Sequence, residues 1–237
     1  MVNLTINGKT IQAEKGSTIL EVAREAGIDI PTLCYHEALS PYGACRVCIV
    51  EIFQREKSSL VASCLYPVDE GIIVKTDSKK AIKARKTAVE LLLASAPNVE
   101  AIRDLAQKMG IEKSRFPEED NECILCGLCV RTCEEIVGVN AINFSNRGIN
   151  RKVDTPFNEP STTCIGCGSC VAICPTGAIK MEDHGNTRLI RNWKVELELQ
   201  KCKVCNNYFA AKFHLDYLQK RLGLPKDIFE LCPDCME

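Results

Sequence analysis

Four groups of four cysteines divide this chain, and none of its sixteen cysteines is left over. The groups are Cys34, Cys45, Cys48 and Cys64; Cys123, Cys126, Cys129 and Cys133; Cys164, Cys167, Cys170 and Cys174; and Cys202, Cys205, Cys232 and Cys235. Four thiolates close the shell of an iron–sulfur cluster or of a tetrahedral zinc ion. Spread over 237 residues, such groups mark small units, in which bonds to metal replace part of a hydrophobic core. Disulfides are the competing use, but they need an oxidising compartment. The opening Met1-Val2-Asn3-Leu4-Thr5 lacks the basic and apolar regions of a secretory signal. No apolar run approaches the roughly 20 residues that cross a membrane. A cytoplasmic location is therefore expected. A net charge of -1 argues against a general nucleic-acid coat.

Residues 1–78 read as a small α+β sheet domain. Val2 to Ile6 alternates like a strand, Asn7-Gly8 is a two-residue hairpin turn, and Lys9 to Ala13 returns. Thr18-Ile19-Leu20-Glu21 is a capping box opening a short helix, with Ile19, Leu20, Val22, Ala23 and Ala26 on its apolar face. Gly27 ends it and Pro31 prevents a restart. Val47 to Phe53 and Ile72 to Thr76 read as further strands. Three cysteines near one loop and a distant fourth form the arrangement of plant-type [2Fe–2S] ferredoxins. The stretches Ile30-Pro31-Thr32-Leu33-Cys34-Tyr35-His36 and Gly43-Ala44-Cys45-Arg46-Val47-Cys48-Ile49-Val50-Glu51 resemble the [2Fe–2S] domain that begins the large iron–sulfur subunit of respiratory complex I. His36 has two readings, a tuner of the cluster potential or an ordinary loop residue.

Residues 79–119 read as a helical linker. Ala81, Ile82, Ala84, Ala88, Leu91 and Leu92 follow a cap at Asp77 or Ser78, Ala96-Pro97 interrupts, and Val99 to Met109 forms a second helix stopped by Gly110. Lys75, Lys79, Lys80, Lys83, Arg85 and Lys86 form a basic run, read first as a solvated face and second as a docking surface for an acidic partner. In the complex I family and in iron-only hydrogenases this region holds a cluster through one His and three Cys. Here Leu91 to Ile102 contains neither residue type, so that cluster is expected to be lost.

Residues 120–181 carry an internal duplication. Cys123-x2-Cys126-x2-Cys129-x3-Cys133 repeats at Cys164-x2-Cys167-x2-Cys170-x3-Cys174, with Gly127 matching Gly168 and Val130 matching Val171. This is the pattern of two-cluster bacterial ferredoxins, in which the fourth Cys of each run serves the other cluster. It implies one [4Fe–4S] cluster on Cys123, Cys126, Cys129 and Cys174, and a second on Cys164, Cys167, Cys170 and Cys133. Pro175 follows Cys174 as the motif expects; Glu134 replaces the equivalent Pro, and the helix after Cys133 is expected to extend through Val137 before Gly138.

Residues 182–237 end in two C-x2-C knuckles around a helix read over Ala210 to Leu222, closed by Gly223 and Pro225. The pairs favour a structural Zn²⁺. A rubredoxin-like iron site or a further [4Fe–4S] cluster stays open. Asn206 and Met236 stand where a rubredoxin knuckle has Gly. His214 is read as a surface residue and His184 as part of a turn beside Gly185.

The order of units is similar to that of iron–sulfur subunits in NADH-linked complexes: the complex I large subunit, the small diaphorase subunit of bidirectional nickel–iron hydrogenases, and electron-bifurcating enzymes. The resemblance covers residues 1–181. It implies a relay of single electrons by one [2Fe–2S] and two [4Fe–4S] clusters, and no hydrogen-activating site. No G-x-G-x-x-G follows a strand and no catalytic constellation stands out. A hydride therefore has to be split on a partner, expected to be an FMN-containing, NADH-oxidising subunit, with a further redox subunit or ferredoxin beyond. No flavin, nucleic acid or membrane span is expected of this chain. The alternatives are a free-standing soluble polyferredoxin and a zinc-containing binding or regulatory module.

Overall fold

The computed structural model describes residues 1–55 and 57–236. The chain forms two compact units, Met1–Gly127 and Leu128–Glu237.

The first unit is built on a five-stranded sheet. Strands β1 (Val2–Ile6) and β2 (Lys9–Ala13) are antiparallel. Their turn is Asn7-Gly8, with φ of 50° and 83°, as a two-residue hairpin requires. Helix α1 (Ile19–Glu25) starts at the expected capping box: Thr18 Oγ1 accepts from Glu21 N–H at 3.3 Å, and Glu21 accepts from Thr18 N–H at 2.7 Å. Strands β3 (Ile49–Gln54), β4 (Lys57–Ala62) and β5 (Ile73–Lys75) complete the order β2-β1-β5-β3-β4, with β1 parallel to β5. Leu4, Ile6, Ile19, Leu20, Ile30 and Val74 are among the side chains sealed between sheet and helix.

Two differences from the sequence reading stand out. Strand β3 begins at Ile49 rather than Val47, because Arg46 at φ 57° and Cys48 belong to a loop. Strand β4 carries Lys57, Ser58, Ser59 and Leu60 exposed, so no apolar alternation announced it.

Helix α2 (Lys79–Ser95) is capped by Ser78, whose Oγ accepts from Ala81 N–H, and α3 (Glu100–Lys108) follows. The basic run is not a uniform solvated face. Arg85 is buried, donating from Nε to Ile49 O and from an Nη to Thr76 O, both at 2.6 Å. Lys80 pairs with buried Glu51 and donates to Ser58. A helical wheel of charges cannot show that one member reaches back onto the sheet. The stretch without His or Cys is fastened by polar groups: Glu119 N–H donates to Ala94 O, Asn121 N–H to Ser95 O, and Asn98 reaches Asp120.

In the second unit α4 (Leu128–Arg131) runs into a π-helical turn over Thr132–Val137 that Gly138 ends at φ 83°. The expected extension past Cys133 to Val137 is present. Strands β6 (Asn143–Ser145) and β7 (Lys152–Asp154) pair, and α5 (Ser169–Ala172) follows Gly168. Strands β8 (Met181–His184), β9 (Thr187–Ile190), β10 (Val195–Lys201) and β11 (Tyr208–Ala211) form a second sheet in the order β11-β10-β9-β8. A short helical turn, Arg191–Trp193, joins β9 to β10. Ile190, Trp193 and Val195 join Cys129, Val130, Ala141, Ile142 and Cys164 in one core. The last helix, α6 (Lys212–Leu222), begins two residues later than read, because Ala210 and Ala211 pair with Gln200 and Leu199 in the sheet. Gly223 closes it at φ 66°.

Candidate iron–sulfur and metal centres

The first cysteine group lies on loops around the edge of the β1–β5 sheet, and all four members are buried. Cys45 N–H donates to Cys34 Sγ at 3.5 Å, and the Cys48 and Cys64 sulfurs are 3.4 Å apart. Gly43 at φ 68° sits where an added Cβ would lie 2.3 Å from Leu65 Cδ1. Hydrogen bonding from Cys64 pulls the Cys48 thiol down to about 6, while the same contact drives Cys64 up. Cys45 is driven up by its bond to Cys34 and by burial. So close a buried set cannot lose all its protons unless a cation neutralises the thiolates, which is what iron supplies. Ser63 is wholly buried, and its hydroxyl donates toward the Cys48 sulfur, helping to lower that thiol. His36 is exposed, and its Nδ1 accepts from Ala38 N–H at 3.2 Å, a local turn contact.

In the duplicated motif, Cys123 is exposed and Cys126 buried at the end of the first unit; Leu125 N–H donates to Cys123 Sγ at 3.4 Å. Cys129 and Cys174 lie in the second unit, where both pack at its core. Burial raises the Cys174 pKa, but hydrogen bonds from the hydroxyl and N–H of Thr176 and from the backbones of Ala178 and Ile179 together outweigh it and bring the thiol below its ordinary value. The remaining four converge: Cys133, Cys164, Cys167 and Cys170 line one small, partly open cavity. Cys133, the last cysteine of the first run, is thus brought to the first three of the second. The π-helical turn aims it there, and its sulfur accepts from Ala141 N–H at 3.3 Å. Burial pushes the Cys170 thiol up to about 11, against the pull of the nearby Trp193 indole. Gly166 stands at φ 70°, and an added Cβ would lie 2.4 Å from Leu197 Cδ1 and 3.3 Å from Ala211 Cβ, so the Leu197 side chain would have to shift. Its carbonyl accepts from Arg188, whose guanidinium grips both Asp183 oxygens at 2.8 Å. The β8–β9 hairpin thereby holds the loop from Cys164 to Cys170. The converging thiols and the glycine turns at Gly166 and Gly168 suit an iron–sulfide core.

The last group is the tightest. The sulfurs of Cys202, Cys205, Cys232 and Cys235 all lie within 4.8 Å of one another. Cys232 N–H donates to Cys202 Sγ at 3.4 Å, and backbone donors from Cys232 and Cys205 bring the Cys202 thiol down to about 6. Asn206 adopts φ 63°, supplying the left-handed residue for which the sequence lacks a glycine. A single ion with metal–sulfur bonds of about 2.3 Å spans sulfur pairs of about 3.8 Å; a cubane holds its thiolates farther apart. The geometry therefore fits one tetrahedral ion. His214 is half-buried on α6 and is not among the four converging thiols.

Trp193 and Ser63 are structural contributors that the sequence reading did not name, and Arg85 is one that it placed in a basic run instead of the interior. Of the two unnamed residues only Trp193 had a signal, as the single tryptophan of the chain. No helix among the described residues is long and apolar enough to cross a membrane.

Comparison with known proteins agrees with this geometry. Residues 1–79 match the family of 2Fe-2S iron-sulfur cluster binding domains, residues 118–181 match a 4Fe-4S dicluster domain family, and a second dicluster family matches the overlapping residues 163–211. The NADP-reducing hydrogenase subunit HndD of Solidesulfovibrio fructosivorans is 36% identical over 211 residues, covering 76% of this chain and 36% of that protein. The mitochondrial NADH-ubiquinone oxidoreductase 78 kDa subunit of Neurospora crassa is 34% identical over 205 residues, covering 75% of this chain and 27% of that protein. This chain thus spans well under half the length of either curated relative. A chain in the crystal structure of an NAD+-reducing [NiFe]-hydrogenase in the H2-reduced state superposes with a TM-score of 0.65 at 29% identity, over 75% of this chain and 86% of that one. The resemblance read from the cysteine stretches holds: the chain carries a [2Fe–2S] domain followed by [4Fe–4S] dicluster sequence, and its homologues are subunits of NAD(P)H-linked hydrogenases and of NADH-ubiquinone oxidoreductase.

Proposed function

We propose that this chain is an electron-transfer subunit of a cytoplasmic NAD(P)H-linked oxidoreductase, passing single electrons between a flavin-bearing partner and a second redox partner. Cys34, Cys45, Cys48 and Cys64 hold a [2Fe–2S] cluster in this reading. Cys123, Cys126, Cys129 and Cys174 hold one [4Fe–4S] cluster, and Cys164, Cys167, Cys170 and Cys133 the other. Cys202, Cys205, Cys232 and Cys235 hold a structural zinc ion. When bound, the clusters supply one-electron steps, which a hydride donor reaches only through a flavin.

The observation that supports the reading most is the convergence of Cys133 with Cys164, Cys167 and Cys170 around one cavity. A chain using these cysteines as separate zinc knuckles has no reason to bring the fourth residue of one run to the other. The protein's own task is to bury the thiolates, exclude water and present backbone N–H groups to sulfur. The names of the relatives, NADP-reducing hydrogenase and NADH-ubiquinone oxidoreductase, support the nicotinamide link.

The test is anaerobic purification followed by metal analysis and electron paramagnetic resonance. About ten irons and about one zinc per chain are expected. NADH should reduce the clusters once the co-purified flavoprotein is present and leave them oxidised without it. Iron-free protein, or clusters that NADH leaves oxidised even with the flavoprotein, overturns the reading. Reduction by NADH with no partner at all places the hydride step on this chain and overturns it as well.

A further inference from the structure

We propose that the indole N–H of Trp193 donates a hydrogen bond to sulfur at the [4Fe–4S] site of Cys133, Cys164, Cys167 and Cys170, and so raises the reduction potential of that cluster above the value its surroundings would otherwise set. The inference rests on the ligand set of the preceding section.

Trp193 is the only tryptophan in the chain and is 3% exposed. It lies in the Arg191–Trp193 turn, and the residue after it, Lys194, takes a left-handed φ of 53° that swings the chain into β10. This turn delivers the ring to the cavity, which it lines together with the four cysteines. Its Nε1 is buried and has no hydrogen-bond partner among the described residues. A buried N–H without an acceptor is uncommon and calls for a specific cause, such as a redox centre as the missing partner. The neighbouring walls are mostly apolar, Val139, Ala141, Ile142, Ile165 and Ile190 among them; Ser169 also lines the cavity, but its hydroxyl makes no hydrogen bond to the indole. The sulfurs are the acceptors on hand, and the indole already bears on the Cys170 sulfur.

The direction of the effect follows from charge. Reduction adds one electron to the cluster, and the added negative charge spreads over its sulfurs. A fixed N–H dipole stabilises that state more than the oxidised one. Hydrogen bonds to sulfur are among the factors that set cluster potentials. Trp193 also fills space, so its packing and its N–H have to be separated.

Trp193→Phe keeps an aromatic ring and removes the donor. In an anaerobic redox titration followed by electron paramagnetic resonance, one [4Fe–4S] signal should become harder to reduce. Its ratio of reduced to oxidised centres at a fixed potential should fall about tenfold, equivalent to about 59 mV for a one-electron couple. The other two clusters should keep their midpoints. A purely structural role changes iron content without this selective shift. The second measurement needs no variant. Because there is one tryptophan, protein grown with indole-¹⁵N tryptophan carries a single label, and the reduced cluster should show a hyperfine coupling to it. Unchanged midpoints in an iron-replete Trp193→Phe protein, together with no ¹⁵N coupling in the wild type, overturn the proposal. If the variant loses iron, the coupling alone decides: present, it supports the bond; absent, it refutes it. Wild-type protein about four irons short would instead sink the ligand assignment, and the role of Trp193 with it.

Discussion

Arg85 links the helical segment to the [2Fe–2S] domain, and removing it should loosen that domain measurably. Its guanidinium is buried and serves two carbonyls, Ile49 O at 2.6 Å and Thr76 O at 2.6 Å. Ile49 directly follows Cys48, so the bond fixes the backbone leaving the residue proposed above as a [2Fe–2S] ligand. Hydrogen bonds from a charged donor contribute roughly 1.5–3 kcal/mol each. Arg85→Met loses both and leaves two carbonyls without their donor, but it also removes the cost of burying a cation. The net loss should be about 2–4 kcal/mol. With a urea dependence of roughly 1–3 kcal/mol per molar, the unfolding midpoint should fall by about 0.7–4 M. The assay is an anaerobic urea titration followed by the visible circular dichroism of the [2Fe–2S] centre. Arg85→Lys keeps the charge but has no planar fork, so it should lie between wild type and Arg85→Met. A midpoint for Arg85→Met within about 0.2 M of wild type, on the same scale, would refute the reasoning and return Arg85 to the solvated face.

Other consequences are equally direct. Cys133→Ser and Cys164→Ser should abolish the same [4Fe–4S] signal and lower the iron count from about ten to about six, whereas Cys174→Ser should remove the other signal; loss of one signal by Cys133→Ser and Cys123→Ser together would uncross the assignment. Gly166→Ala should cost the second cluster, since overpacking of roughly 1–3 kcal/mol adds to left-handed strain of roughly 1–2 kcal/mol, while Gly185→Ala, at φ 59° with open space around its Cβ, should keep iron; equal iron in the two variants contradicts this. Burial, and then the charge of Arg188, hold the His214 pKa below its ordinary value. The unfolded chain therefore takes up a proton before the folded one does, so stability is full above about pH 6.5 and falls as the pH drops toward the folded pKa. Thermal midpoints at about pH 7.5 and about pH 5.8 should differ less in His214→Gln than in wild type; identical differences dismiss the effect.

Features written in neighbouring residues were legible before any coordinates. The Asn7-Gly8 turn, the Thr18–Glu21 capping box, the Ser78 cap and the Gly138 stop each depend on a few consecutive dihedral angles and donors. Strand β4 was not legible, because its exposed edge needs no apolar alternation. The β8–β11 sheet was missed too, since its strands are short and find their partners only in the folded unit. Local propensity also favoured helix for Ala210 and Ala211, and pairing with β10 overrode it.

By itself, the sequence determined the cysteine inventory, its fourfold grouping and the duplication at an offset of 41 residues from Cys123 to Cys164. Metal chemistry demands particular ligands at short spacings, and that demand is visible one residue after another. Tertiary structure alone decided that Arg85 turns inward, that Arg188 grips the Gly166 loop and that Trp193 faces Cys170. Those contacts join residues 22 or more positions apart, so only chain closure could bring donor and acceptor together.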